Sequence, residues 1–189
     1  LALKSQKDLT MEETRRIQKQ VGMAYYNIRN FPKAFMTLFE AYMATPGDSE
    51  ICLYIGLVYA SQKKYKKANE YFLKAESQNP LNYEAHYYNG IVSALIGKRE
   101  ESVKEFTIAK KRKPENYLLD LYTGAVLKEM RDFSQAIRHL KFASKALTDP
   151  ALKMKSFLLL GECYKGLGLI EDAITTLEVA RETQNNPYN

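Results

Sequence analysis

A glycine that returns at a fixed interval is the feature that most constrains the fold of this chain. It occurs at five positions, the first four spaced by 34 residues and the last by 37: Gly22, Gly56, Gly90, Gly124 and Gly161. A period of this length is typical of repeat architectures, in which each unit buries its apolar face against its neighbours. We therefore expect a stacked array of similar units rather than one globular core.

Three further positions recur in phase with the glycine, and they indicate two amphipathic helices in each unit. A small residue comes first: Ala34, Ala68, Ser102, Ala136 and Ala173. A large apolar residue follows: Leu38, Phe72, Phe106, Leu140 and Leu177. An alanine is third: Ala41, Ala75, Ala109, Ala143 and Ala180. In the second unit this phasing predicts one helix up to about Gln62 and another over residues 65–78. Small residues are expected where the two helices touch.

Residues 49–82 show the pattern most completely, and they resemble a tetratricopeptide repeat. Gly56 and Tyr59, then Ala68 and Phe72, then Pro80 stand at the family's marks, although Cys52 replaces its leading Trp. The resemblance implies an all-α, right-handed superhelical solenoid of five helix-turn-helix repeats. It places the repeat domain at 15–187, after an N-terminal lead-in at 1–14. The units lie at about 15–48, 49–82, 83–116, 117–150 and 154–187.

The ends of the array carry their own signals. Thr10 and Glu13 have the spacing of a capping box and predict the start of the first helix. Leu1, Leu3 and Leu9 either pack on the first unit or belong to a frayed lead-in.

Three extra residues before the fifth unit are expected to lengthen its first helix or to change the stacking angle. In the second helix of that unit Ile174, Leu177 and Val179 are expected to lack a partner in part. Either more chain follows in the full protein, or this end docks onto something, with self-association as one possibility.

Composition and charge exclude some classes of function. The 28 Lys and Arg against 22 Asp and Glu give a net charge of +6, for which a solvated surface is the commoner explanation and nucleic-acid binding the less expected one. No apolar run reaches the length of a membrane span. Cys52 and Cys163 lie three repeats apart, too far for a disulfide, and are interpreted as buried apolar fillers. The compartment, cytoplasmic or periplasmic, stays open.

Groups suited to catalysis or metal binding are scarce. The chain has two histidines, His86 and His139. His86 takes the position of the family's Trp on the core face, and His139 precedes the core residue Leu140. We therefore predict no catalytic residue, no metal site and no cofactor.

The resemblance places a binding groove on the first helices, which line the inner surface in this family. Three tyrosines 34 residues apart form a ladder along it: Tyr54, Tyr88 and Tyr122. The full set of predicted groove residues is Lys19, Met23, Leu53, Tyr54, Leu57, Tyr87, Tyr88, Ile91, Leu121 and Tyr122. A tyrosine ring packs against apolar groups while its hydroxyl forms hydrogen bonds, so an apolar or amphipathic peptide segment of a partner is expected there. Alternatively, these side chains only pack between neighbouring first helices.

A non-catalytic protein–protein interaction scaffold or adaptor is thus the predicted function. The family's carboxylate clamp for acidic C-termini is matched only at Lys19, which argues against a chaperone-tail adaptor. One alternative follows from a weak similarity to bacterial repeat lipoproteins that assist pilus or secretin assembly. Another is an anionic surface or nucleic acid bound by a basic patch: Lys110, Lys111, Arg112 and Lys113. A third is an enzyme subunit whose catalytic domain lies elsewhere.

Overall fold

The computed structural model describes residues 10–185, which form α-helices joined by short turns. The helices are α1 (Met11–Asn27), α2 (Phe31–Ala44), α3 (Ser49–Ser61), α4 (Tyr65–Gln78), α5 (Tyr83–Leu95), α6 (Arg99–Arg112), α7 (Tyr117–Glu129), α8 (Phe133–Ala146), α9 (Pro150–Gly166) and α10 (Ile170–Asn185). The alternatives for Leu1, Leu3 and Leu9 fall outside the described residues, as does the predicted domain end at 187. The predicted boundaries of the repeat domain stay predictions.

Local sequence signals start the helices where the structure has them. Thr10 and Glu13 form the predicted capping box at α1: Glu13 N–H donates to Thr10 Oγ1 (3.1 Å), and Thr10 N–H donates to the Glu13 carboxylate (2.8 Å). At α3 the Asp48 carboxylate accepts from the N–H groups of Glu50 and Ile51. These caps satisfy backbone donors that a helix leaves without a partner in its first turn.

One residue in each turn between paired helices has a left-handed backbone. The position is occupied by Arg29, Lys63, Gly97, Arg131 and Gly168, with φ between 59° and 84°. Glycine adopts this conformation without strain, whereas a residue with a Cβ pays roughly 1–2 kcal/mol. The turns therefore keep the left-handed conformation even where an arginine or lysine occupies the position instead of a glycine.

The recurring glycines lie where two helices of one pair touch. A Cβ placed on Gly56 would be 2.6 Å from the ring of Phe72, and one placed on Gly124 would be 2.6 Å from Leu140. The same contact joins the other three glycines to their partners: Gly22 to Leu38, Gly90 to Phe106 and Gly161 to Leu177. This confirms the prediction that small residues mark the helix contacts.

The chain divides into two compact units, one up to Ala85 and the other from His86 onward. In the first, α1 packs on α2 and α3 on α4. A buried cluster joins the second helix of one pair to the first helix of the next: Ala34, Leu38 and Ala41 from α2, with Ile51, Ile55 and Val58 from α3.

The second unit repeats this arrangement around α7, α8, α9 and α10. Ala136, Leu140 and Ala143 of α8 share a buried cluster with Leu160 and Cys163 of α9. Helix α9 has 17 residues where α7 has 13, and the turn before it is one residue shorter, so the three extra residues and one turn residue lengthen the helix. No described helix is long and apolar enough to cross a bilayer.

Both cysteines are buried and free, as predicted. Burial raises the pKa of the Cys163 thiol to about 11 and also raises the pKa of Cys52. Each thiol is accordingly protonated and acts as an apolar filler at neutral pH.

Candidate peptide-binding surfaces

The first unit contains a cavity of about 740 Å³ at predicted groove positions. Its lining includes Asp48, Glu50, Leu53, Tyr54, Leu81 and Glu84. Two hydrogen bonds shape one wall, because Asn82 Nδ2–H donates to Ser49 Oγ (3.0 Å) and the Ser49 hydroxyl donates to the carbonyl of Ala75 (2.8 Å). Asn82 also accepts from the N–H of Ala85 in the first turn of α5. The wall is thus fixed by the same residues that start the helices.

Carboxylates dominate the electrostatics of this region. Lys19 Nζ lies 3.0 Å from the Asp48 carboxylate and 2.9 Å from that of Glu50. Partial burial lowers the pKa of Lys19, but its bonds to Glu50 and Asp48 outweigh this effect and raise the pKa overall. Lys19 is therefore an ion-pair partner of the cavity's acidic rim, and Glu84 adds a third carboxylate to that rim.

Tyr54 presents a fixed ring with a protonated hydroxyl. Its ring meets that of Tyr26 edge-on, with 5.5 Å between centroids. Burial, and then the nearby Glu50 carboxylate, raise the pKa of Tyr54. The side chain is half-buried, so it packs within the unit and still reaches the cavity.

The other predicted groove residues of the first unit are less accessible. Met23 is half-buried and packs on the α2–α3 cluster. Leu53 and Leu57 retain only 6% and 8% exposure. Leu53 touches the cavity, whereas Leu57 belongs to the core.

In the second unit three predicted groove tyrosines form one aromatic group. The Tyr87 ring lies 5.0 Å from that of Tyr88 and 6.2 Å from that of Tyr122, which stacks on Phe106 at 5.8 Å. All three tyrosines are half-buried, as is Ile91. Leu121 is fully buried, so it supports the surface from within.

The basic patch is divided by its contacts. Lys110 Nζ lies 2.7 Å from the Asp120 carboxylate and 4.5 Å from the centroid of the Tyr117 ring. Lys111, Arg112 and Lys113 are exposed at the end of α6, where cations suit the helix dipole. Lys110 is thus neutralised within its own unit, which weakens the predicted patch.

Two histidine–carboxylate pairs were not foreseen from the sequence. His86 Nδ1 lies 2.6 Å from Glu105 in a buried pair, and His139 Nδ1 lies 3.0 Å from Asp120. Burial would raise the pKa of Asp120, but hydrogen bonds from His139 and Lys110 lower it overall. A signal was available, because in each pair 19 residues separate the partners and the two pairs stand one repeat apart.

Comparison with known proteins identifies the fold. The model of the tetratricopeptide repeat family matches residues 49–80. No curated protein sequence matches the chain. A crystal structure of MamA is 20% identical, with a TM-score of 0.83, and covers 93% of this chain and 94% of its own. YrrB, described as a tetratricopeptide repeat protein with an unusual peptide-binding site, is 17% identical, with a TM-score of 0.83 and coverage of 89% and 86%.

These matches confirm the resemblance and the all-α solenoid of tetratricopeptide repeats that it implies. At such identities the likeness of the structures concerns the fold alone.

Proposed function

We propose that this tetratricopeptide repeat chain is a non-catalytic scaffold that binds an amphipathic peptide segment of a protein partner. The observation that supports this most is the cavity of the first unit, because it lies at the groove positions of α3 and the start of α5. Concave sites with a few convergent polar groups are the usual binding sites of proteins. The peptide-binding site described for YrrB shows that this fold can serve such a role.

The side chains that line the cavity determine which kind of peptide segment it can bind. Leu53, Leu81 and the ring of Tyr54 offer apolar contact, while the three carboxylates of the lining outnumber their ion-pair partner Lys19 and leave the rim negative. A peptide with an aliphatic anchor beside a Lys or Arg satisfies both. The protonated Tyr54 hydroxyl can donate a hydrogen bond to a peptide carbonyl.

The tyrosine group of the second unit is proposed as a further contact surface for the same class of peptide. Tyr87, Tyr88 and Tyr122 hold one another in place through ring contacts. Side chains that are already ordered lose little conformational entropy on binding. Anionic-surface binding is the weaker candidate, because Lys110 is paired with Asp120.

A random-peptide phage library panned against the intact chain tests the proposal. The test variant is Leu81→Ser/Glu84→Gln, which changes two residues of the cavity lining that are exposed. The matched control is Leu73→Ser/Glu70→Gln, which makes the same changes at exposed sites of α4 outside the cavity.

Enriched peptides should carry an aliphatic residue next to a cation. In fluorescence anisotropy with the labelled peptide, the cavity variant should bind about tenfold more weakly, the equivalent of about 1.4 kcal/mol. The control should match the wild type. Peptides that bind both variants equally, or a failure to enrich any peptide, would refute the cavity assignment.

A further inference from the structure

The outer side of α1 exposes positions that are buried in every later repeat. Ile17 is 47% exposed and Val21 is 41% exposed. In the next four repeats the position of Ile17 is taken by Ile51, Ala85, Leu119 and Ser156, and that of Val21 by Ile55, Asn89, Thr123 and Leu160. None of these eight exceeds 4% exposure. With Ala24, which is also exposed, Ile17 and Val21 define the α1 face.

Helix α10 also exposes a position that is buried in every earlier repeat. Leu177 is 39% exposed, whereas its equivalents in the four earlier repeats are at most 1% exposed: Leu38, Phe72, Phe106 and Leu140. Ile170 and Ile174 are each 54% exposed and lie on the same side of the helix, at i, i+4 and i+7 spacing with Leu177. These three residues define the α10 face.

The two faces are the two halves of a contact that the chain already makes internally. In the first unit Leu38 of α2 packs with Ile51 and Ile55 of α3. In the second unit Leu140 of α8 packs with Leu160 of α9. The α10 face is equivalent to the side of α2 and α8 that makes this contact, and the α1 face is equivalent to the side of α3 and α9 that receives it.

Charge near the two faces is complementary. Exposed Glu13 lies in line with the α1 face, four residues before Ile17. Exposed Arg181 lies in line with the α10 face, four residues after Leu177. Opposite potentials favour the encounter of two surfaces and set their orientation.

We propose that the α10 face of one copy docks on the α1 face of a second copy, head to tail. The contact reproduces the packing of α2 on α3 between two molecules. Because the two sides of the contact differ, each added copy presents a new open face, and assembly proceeds to chains or rings rather than stopping at a symmetric dimer. The proposal does not depend on the peptide-binding cavity.

Sedimentation velocity over a concentration series tests it with three variants. Ile17→Glu/Val21→Glu disables the α1 face, since docking would then bury two carboxylates against the apolar side chains of α10. Ile170→Ser/Ile174→Ser disables the α10 face. Met36→Glu/Met43→Ser is the control, because both methionines are exposed outside the two faces. Circular dichroism verifies that each variant is folded.

The wild type and the methionine control should gain mass as concentration rises. Each face variant should be monomeric alone, and an equimolar mixture of the two should form a dimer, because one intact face of each kind remains. A monomeric wild type would mean that another segment or another protein covers these faces, and it would overturn the proposal. A face variant that associates by itself, or a mixture that stays monomeric, would overturn it as well.

Discussion

Replacing Gly56 by alanine tests whether close helix approach sets the stability of a repeat. The added Cβ would lie 2.6 Å from Cε1 and 2.7 Å from Cδ1 of Phe72. Carbon atoms pack best at about 3.5–4.0 Å, so α3 and α4 must separate by about 1 Å or the ring must leave its position. Phe72 is completely buried, so a movement of its ring also disturbs the residues packed around it.

The magnitude follows from two opposing effects. Overpacking a filled core costs typically about 1–3 kcal/mol, and we place this contact at the upper end because the added Cβ would meet three atoms of a completely buried ring. Alanine gains about 1 kcal/mol over glycine in a helix. We therefore expect Gly56→Ala to lower the free energy of unfolding by about 2 kcal/mol.

Urea denaturation followed by far-ultraviolet circular dichroism measures this change. Gly47→Ala is the matched control in the same unit, because its Cβ would meet only Gln78, at an ordinary 3.4 Å. The control should be as stable as the wild type or slightly more so. If Gly56→Ala unfolds at the urea concentration of the wild type, close approach is not what the repeating glycine provides.

Three further changes test other parts of the structure. Asp120→Asn should lower the free energy of unfolding by about 1–3 kcal/mol at neutral pH, less than for a fully buried pair because Lys110 and His139 are partly exposed. Contacts lower the pKa of Asp120 in the folded chain below its ordinary 3.8. The difference in unfolding free energy between Asp120→Asn and the wild type should therefore persist above pH 3.8 and close as the pH falls through the lower pKa of the folded state. Urea titrations at several pH values measure this difference. Cys163 should resist a thiol reagent at neutral pH until urea unfolds the second unit, because its pKa is about 11; rapid labelling of the folded chain would contradict this. Arg131→Gly should raise the melting temperature, because it relieves a left-handed backbone in a non-glycine residue (φ 62°); an unchanged or lower value would show that the strain is absorbed.

The fold was predictable because its signal is repeated. A single Gly56–Phe72 spacing would say little, but five copies in phase fix both the helix pairs and the residues at their contacts. The prediction for the second unit of the array is close: helices up to about Gln62 and over 65–78, against α3 and α4 as the structure has them.

The candidate site was less predictable because a position in a repeat does not determine exposure. Leu57 and Leu121 occupy groove positions of the family, yet local packing buries both. The pair of Asp120 with His139 was missed for a related reason. Its partners lie on different helices of a pair, and the repeat pattern describes apolar contacts rather than the polar bonds that cross them.

Head-to-tail docking should change the local opening of the two helices that carry the docking faces, α1 and α10. In repeat proteins stability is approximately a sum of unit terms and contacts between neighbouring units. Among residues 10–185, α1 has no counterpart of the contact that buries Ile51 in α3, and α10 has none of the one that buries Leu140 in α8, so these two helices should open most readily. Docking restores one such contact at each joined end. Hydrogen exchange read by mass spectrometry should therefore show protection in α1 and α10 that rises with protein concentration, while α3 and α8 stay unchanged. The Ile17→Glu/Val21→Glu variant should lose this dependence, and an increase in protection spread evenly over all helices would place the association elsewhere.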